Sequence, residues 1–309
     1  RLVGSVPTLY KFIAGPQAYL FNFANKLPFA KLITEKIIGI HKKRTMPEIS
    51  SYTFESWFNK RVSNSSKSRG KILFFHDTHI NFIHPEVGKS AVKILEAAGF
   101  EVEITNRKCC GRTMISKGLL DDAKKNVNYN TDLLYNYVEK GIKIVGVEAS
   151  CVSAMQDEFP DLADDKEKAR KISENTFTIQ DLLVQIQNDN SQQINWNTKD
   201  KDLLLFVHCH ERALNGTNNS LNSLNLPEKF NAKLIDAGCC GMAGSFGMEK
   251  EHYDISKKMA EDRLLPTINN SNESQEIIVT GISCHDQIKD LSNKNPKYLV
   301  EVLAEAIDG

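Results

Sequence analysis

The sequence predicts an α/β protein made of two pseudo-duplicated, Rossmann-like halves with mostly parallel sheets, preceded by a helical N-terminal segment. Three observations carry this. Short apolar runs ending in polar or ligand-type residues occur at 71 to 77 (K-I-L-F-F-H-D) and 202 to 209 (D-L-L-L-F-V-H-C). A strand-like run leads into Cys-Cys-Gly at 101 to 111 (E-V-E-I-T-N-R-K-C-C-G) and at 232 to 241 (A-K-L-I-D-A-G-C-C-G). A third apolar run ends at a cysteine at 144 to 151 (I-V-G-V-E-A-S-C) and at 277 to 284 (I-I-V-T-G-I-S-C). Self-similarity of this kind is the signature of a duplicated unit.

Along the chain, residues 1 to 70 carry helical apolar spacing, with apolar-aromatic stretches at Tyr19 to Phe29 and Lys31 to Ile40. Residue 1 is Arg and this segment has no complete domain pattern, so the expectation is a helical linker from a preceding domain. The first half spans 71–190: two strands, a helix over Leu119 to Glu139, then the strand ending at Cys151. The turn-rich run Asn188 to Asn197 reads as the connector. The second half spans 198–309, with its helix over Glu249 to Leu265.

Spacing makes the match quantitative. Asp77 and Cys109 are separated by 31 residues, Cys209 and Cys239 by 29. Cys110 and Cys151 are separated by 40, Cys240 and Cys284 by 43. Strands alternating with helices imply right-handed βαβ crossovers. In such sheets, functional groups gather beyond the carboxyl ends of the strands. All 7 cysteines fall at predicted strand ends.

Thiols that converge in a reducing compartment are ligands or redox groups rather than structural disulfides; the bland reading is small buried hydrophobes. Cys209, Cys239, Cys240 and Cys284 form a full set of thiolates in the second half. That set suits an iron–sulfur cluster or a tetrahedral Zn site, and adjacent cysteines sit more easily on a cluster than on a single ion. Gly238, Gly241, Gly244 and Gly247 surround the pair, either as ordinary turn residues or to bring backbone N–H groups close to the cofactor. His208, His210 and His285 flank two of the ligands, placed to ligate, to shuttle a proton or, as the favoured reading, to donate a hydrogen bond to a ligand. In the first half Asp77 stands in the place of the first cysteine, leaving Cys109, Cys110 and Cys151 with His76 and His79 nearby. That mixed set suits Zn or an altered cluster, or is vestigial. Arg112, Ser116 and Lys117 read either as an anion pocket or as helix-start and surface residues. Glu249, Glu251, His252 and Tyr253 read as the opening turn of a helix.

Composition excludes other classes. Hydrophobic residues at 41% and charged residues at 25% are the mixture of a globular protein. With 39 basic and 39 acidic residues there is no electrostatic footprint for nucleic acid. No run approaches the ~20 apolar residues that cross a bilayer, and no secretory h-region follows the N-terminus. The expected location is cytoplasmic.

The runs K-C-C-G-R-T-M-I-S-K-G-L-L, H-C-H-E-R-A-L, D-A-G-C-C-G-M-A-G-S-F-G-M-E-K-E-H-Y-D and G-I-S-C-H-D-Q-I resemble the cysteine-rich CCG domain family. It includes one of the heterodisulfide reductase subunits and the iron–sulfur subunits of glycolate oxidase and anaerobic glycerol-3-phosphate dehydrogenase. The chain looks most like the C-terminal iron–sulfur region of fused FAD-linked oxidases of the D-lactate or D-2-hydroxyacid dehydrogenase type. The resemblance covers about 70 to 305. It implies a cluster, of the 4Fe-4S kind, on Cys209, Cys239, Cys240 and Cys284, and ligands at Cys109, Cys110 and Cys151. It also implies FAD and ferredoxin-like domains on the same or a partner chain, and a quinone or other carrier as electron acceptor. The family pattern ends each repeat in C-x-x-C, where this chain has Ala154 and Gln287. The departure argues against a five-cysteine cluster and against disulfide reduction. The N-terminal stretches then either pack on the ferredoxin-like part or lie on a membrane at its inner face. Two other classes stay open: a structural Zn module, and a thiol enzyme using Cys239 and Cys240 as a redox pair.

Overall fold

The computed structural model describes residues 6–63, 69–188, 194–196 and 199–308. Most of the predicted connector, at 189–193 and 197, lies outside the described residues. Two four-stranded, wholly parallel sheets form the frame. The first contains β1 (Lys71–Phe74), β2 (Glu101–Glu103), β3 (Ile144–Gly146) and β4 (Thr176–Thr178), in the order β2-β1-β3-β4. The second contains β5 (Lys201–Phe206), β6 (Phe230–Leu234), β7 (Glu276–Val279) and β8 (Lys297–Tyr298), in the order β6-β5-β7-β8. The duplication read from the cysteine spacing is therefore a duplication of topology.

The central strands β1, β3, β5 and β7 are continuous apolar runs because helices cover both of their faces. The strands are shorter than the apolar runs suggested. Residues 104–110 and 235–241 leave the sheets as loops, and each third run turns into a helix before its cysteine. Strands β4 and β8 were not expected. They are three and two residues long and feed directly into helices, so no alternating pattern had room to develop.

The helix expected over Leu119 to Glu139 is present as Leu120–Val138. The one expected over Glu249 to Leu265 begins later, as Tyr253–Asp262, and breaks at Arg263 before Leu264–Asn269. One apolar core runs through both halves. Phe54, Ile72 and Val92 belong to the same buried cluster as Leu203, Val300 and Leu303. The C-terminal helix Leu299–Asp308 packs on Pro85–Ala97 of the first half.

The N-terminal segment is helical as expected, over Val6–Ile13, Ala18–Lys26, Pro28–Ile37 and Phe54–Phe58. Between the third and fourth helices the chain clamps onto the second half. His41 N donates to Met248 O at 2.8 Å, and Lys250 N donates to Gly39 O at 2.8 Å. The first three helices leave Phe12, Tyr19, Leu20, Phe23, Phe29 and Ile37 largely exposed. Among the described residues no helix is long and apolar enough to cross a membrane.

Candidate metal centres

In the second half, three strand ends deliver the thiols. The chain leaving β5 turns at His208, which caps the helix Cys209–Leu214 by accepting from His210 N at 3.2 Å through Nδ1. His208 N donates to Thr280 Oγ1 at 2.9 Å, tying this turn to the one after β7. The loop after β6 brings in Cys239 and Cys240. Gly281 then opens the helix Ile282–Leu291, whose first turn carries Cys284.

The thiols lie near enough to perturb one another in series: Cys209 with Cys239, Cys239 with Cys240, and Cys240 with Cys284. Bonds from Cys209 and then Cys240 hold the Cys239 thiol far below its usual range. The same contacts, with burial, push Cys209 and Cys240 up. Gly241 N adds a donor to Cys239 Sγ at 3.3 Å.

Gly241 has φ +89°, and a Cβ there would meet Ser256 O at 2.3 Å, so this position demands glycine. Gly244 has φ +65° but open space around it, which is turn chemistry alone. A Cβ on Gly238 would meet nothing within 4 Å, so no close backbone approach requires that glycine. Gly247 is tightly packed, against Ser256 and the Gly241 carbonyl.

The first half repeats this arrangement with one substitution. Cys110 and Cys151 approach to 2.9 Å between sulfurs, and Cys109 bonds to Cys110. Cys151 begins no strand end of its own but lies in the helix Ala149–Ser153, capped by Glu148. The Cys110 bond lowers the Cys151 thiol, but burial and the Asp77 charge outweigh it and push the thiol up to about 11. Asp77 is buried. Its Oδ1 caps the helix Thr78–Phe82, accepting from His79 N at 2.7 Å and Ile80 N at 3.2 Å. Its Oδ2 is buried with no hydrogen-bond partner among the described residues, and so are the Nδ1 atoms of His76 and His79. An unsatisfied carboxylate oxygen is costly to bury, and a cation beside the thiols would satisfy it. The donors of both halves thus fit a metal centre: soft sulfur in the second, sulfur with one oxygen in the first.

The two centres face each other. The helix carrying Cys151 packs directly against the helix that begins at Cys209. Ser153 Oγ lies 3.1 Å from His210 Nδ1, and Glu148 Oε2 accepts from Ile282 N at 2.9 Å. Of the two readings of Arg112, Ser116 and Lys117, the structure favours helix-start and surface residues over an anion pocket. Arg112 is paired with Glu158 at 2.6 Å, Ser116 Oγ donates to the Arg112 carbonyl at 2.9 Å, and Lys117 pairs with Glu249 across the interface. His252 bonds to Glu249 at 3.1 Å, and Tyr253 stacks on His41 at 3.9 Å. Glu251 pairs with Lys250 at 3.7 Å.

A profile of the cysteine-rich CCG domain matches residues 74–156 and 203–289. The chain belongs to the cysteine-rich CCG domain family. One CCG repeat falls in each half, over the middle of its sheet but short of the last strands β4 and β8, and the two together contain every cysteine of the chain.

Several curated proteins are similar to this CCG protein. One subunit of the anaerobic glycerol-3-phosphate dehydrogenase of Escherichia coli K12 is 27% identical over 99% of this chain and 75% of its own length. The D-2-hydroxyglutarate dehydrogenase of Pantoea ananatis is 23% identical over 96% of this chain, which spans 30% of that protein. Lactate utilization protein A 2 of Bacillus cereus Q1 is 26% identical over 77% of this chain and 99% of its own length.

Sequence reading missed four residues that matter here. Arg44 is buried and reaches the second centre: it donates to Gly247 O at 2.7 Å, Gln287 Oε1 at 2.7 Å and Ser256 Oγ at 2.9 Å. Glu148, His84 and Tyr298 line a small cleft together with Asp77 and His79. His84 was signalled by its place in a histidine-rich run with His76 and His79; Arg44, remote in sequence from every cysteine, gave no signal.

Proposed function

We propose that the chain is the electron-transfer, iron–sulfur-binding part of a FAD-linked oxidoreductase. The observation that carries this is the packing of the Cys151 helix against the Cys209 helix, which sets two thiol-lined centres on one interface. The names of the similar proteins, all dehydrogenases or lactate-utilisation proteins, support an oxidoreductase role. The substrate is a small hydroxylated acid of the 2-hydroxy acid class, such as D-lactate or glycolate, oxidised on a flavin domain of the same or a partner chain.

Cys209, Cys239, Cys240 and Cys284 would hold a cluster of the 4Fe-4S type, and Cys109, Cys110 and Cys151 with Asp77 would hold Zn or an altered cluster. When bound, the second-half cluster supplies one-electron transfer towards a quinone or other carrier. The chain's own residues prepare for it. Cys239 is already favoured as a thiolate, while Cys209 and Cys240 give up protons on loading, so cofactor uptake releases acid. Gly241 N steadies the Cys239 sulfur, and the neutral His208, pushed down to about 3 by burial and then by His210, adds no charge.

The chain divides on this reading into a helical segment at 1–70 and CCG halves at 71–190 and 198–309, each half enclosing one matched repeat. The exposed apolar faces of the first helices, interleaved with Lys11, Lys26, Lys31 and Lys36, support peripheral contact with the inner face of a membrane from a cytoplasmic position. A structural Zn module is the competing reading, favoured by the oxygen donor Asp77 in the first centre.

The deciding measurement is iron and acid-labile sulfide content, with an absorption spectrum, on protein purified without oxygen. Iron with matching sulfide and a broad violet band is expected. Zinc alone, persisting after reconstitution with iron and sulfide, overturns the reading.

A further inference from the structure

Where the two halves meet, a second group of metal-ligating side chains lies outside both thiol centres. His84 comes from the first half, and His285 and Asp286 come from the helix Ile282–Leu291 of the second. One donor atom from each lies within 4.8 Å of the others.

His84 occupies the residue before helix Pro85–Ala97, yet makes no capping bond with its side chain. Its ring meets that of His285 edge-on, at 5.2 Å and 68°. The His285 ring is stacked on Tyr298 at 5.3 Å and fixed by Asp286 Oδ1 at 2.9 Å from its Nδ1. Bonds of ~2.0–2.1 Å to a tetrahedral ion place ligands roughly 3.3 Å apart, so each donor has to move inwards by less than about 1 Å.

The cleft that His84 lines also contains the buried carboxylate of Asp77, the oxygen donor of the first thiol centre, which makes the local potential favourable for positive charge. Asp286 remains partly exposed.

We propose that His84, His285 and Asp286 form a mixed nitrogen–oxygen site for one divalent transition-metal ion of the zinc type, stapling the first CCG half to the second. Imidazole with carboxylate suits such ions, and the absence of sulfur separates this site chemically from both cysteine centres. The site goes beyond the electron-transfer reading and does not depend on it, because His84 is a ligand of neither thiol centre.

The test uses the full chain carrying its native metal content, treated with a mild chelator and titrated without oxygen with Co2+, followed by absorption and calorimetry. One additional equivalent is expected, with weak d–d bands and no thiolate-to-cobalt charge transfer. His84→Ala should weaken this binding at least tenfold while iron and sulfide stay at the wild-type level. Zn2+ should raise the unfolding temperature of the wild type and not that of the variant. Asp286→Asn, at a partly exposed position, gives the same comparison if His84→Ala fails to fold. No uptake, equal affinity in the variants, or uptake accompanied by thiolate bands overturns the site.

Discussion

Arg44 Nη1 donates to Gln287 Oε1 at 2.7 Å, and Gln287 Nε2 carries the connection to the Cys240 carbonyl, also at 2.7 Å. Gln287 stands where the family's C-x-x-C pattern has its last cysteine. The position that would supply another thiol is instead filled by an amide that organises the Cys240 loop. A residue of the N-terminal segment completes this plug, so that segment is part of the second centre's architecture.

Arg44→Ala leaves the buried Asp290 without its ion-pair partner, and Gln287 Oε1 and the Gly247 carbonyl without their donor. Truncating a buried charged partner typically costs ~3–5 kcal/mol, and a loss of at least ~3 kcal/mol is expected. Denaturant unfolding of wild type and variant checks it. A change below ~1 kcal/mol would show that the plug is not structural.

Asp290 provides a pH test of the same region. Burial raises its carboxyl above the usual 3.8, against the opposing pull of Thr45 and Arg44. A raised folded value means that the unfolded chain loses this proton first as pH rises. The contribution to stability is therefore complete below about pH 3.8 and is lost as pH climbs through the folded value. Asp290→Asn should flatten stability against pH over that acidic window. An unchanged slope in urea unfolding across it would refute the assignment.

How far the sequence disclosed the molecule depends on what each residue contacts. Cys-Cys-Gly after an apolar run signalled where the thiols gather, because the loops that follow the strands are local features. Strands β4 and β8 were illegible because Thr176–Thr178 and Lys297–Tyr298 are set by pairing to β3 and β7, not by their own pattern. For Arg112 the sequence leaves an anion pocket and a helix start equally open, because the partner that decides between them, Glu158, is remote in the chain. His84 and His285, like Arg44 and Gln287, meet only through tertiary packing, and no spacing rule connects partners 201 or 243 positions apart in this numbering.

Asp77 marks the difference between the halves. Asp77→Cys should turn the first centre into a full thiol set and raise the iron content per chain after reconstitution. It should also lose a helix cap, costing ~1 kcal/mol. Asp77→Asn keeps a cap acceptor but removes the charge, and should lower zinc occupancy without altering the second centre. Unchanged metal content in both variants would remove Asp77 from the first centre.

Cys240 lies near enough to both Cys239 and Cys284 to be perturbed by them, so it is the link between the two ends of the thiol series. Cys240→Ser should abolish most iron and visible absorption of the second centre while the protein stays folded by circular dichroism. Cys110→Ser, in the first half, should spare that absorption. Full retention of iron in Cys240→Ser would sink the ligand assignment.

The exposed face of the first three helices carries the last prediction. Tyr19, Leu20 and Phe23 belong to one helix and remain largely exposed, as do Phe12 and Phe29 on its neighbours. Isolated exposed apolar residues are ordinary, but a cluster of large ones marks a surface that another phase or protein covers. The helices are short, and their lysines at 11, 26, 31 and 36 stand against a lone acidic residue, Glu35, between 6 and 44. That combination is the pattern of an interfacial helix on an anionic bilayer. The full chain should therefore co-sediment with vesicles containing phosphatidylserine or phosphatidylglycerol and bind less at high salt. Replacing Phe12, Tyr19 and Phe23 together by Ser should weaken binding at least tenfold, about 1.4 kcal/mol, with iron content unaffected. Equal sedimentation of the triple variant, or none of the wild type, would leave the face to a protein partner instead of lipid.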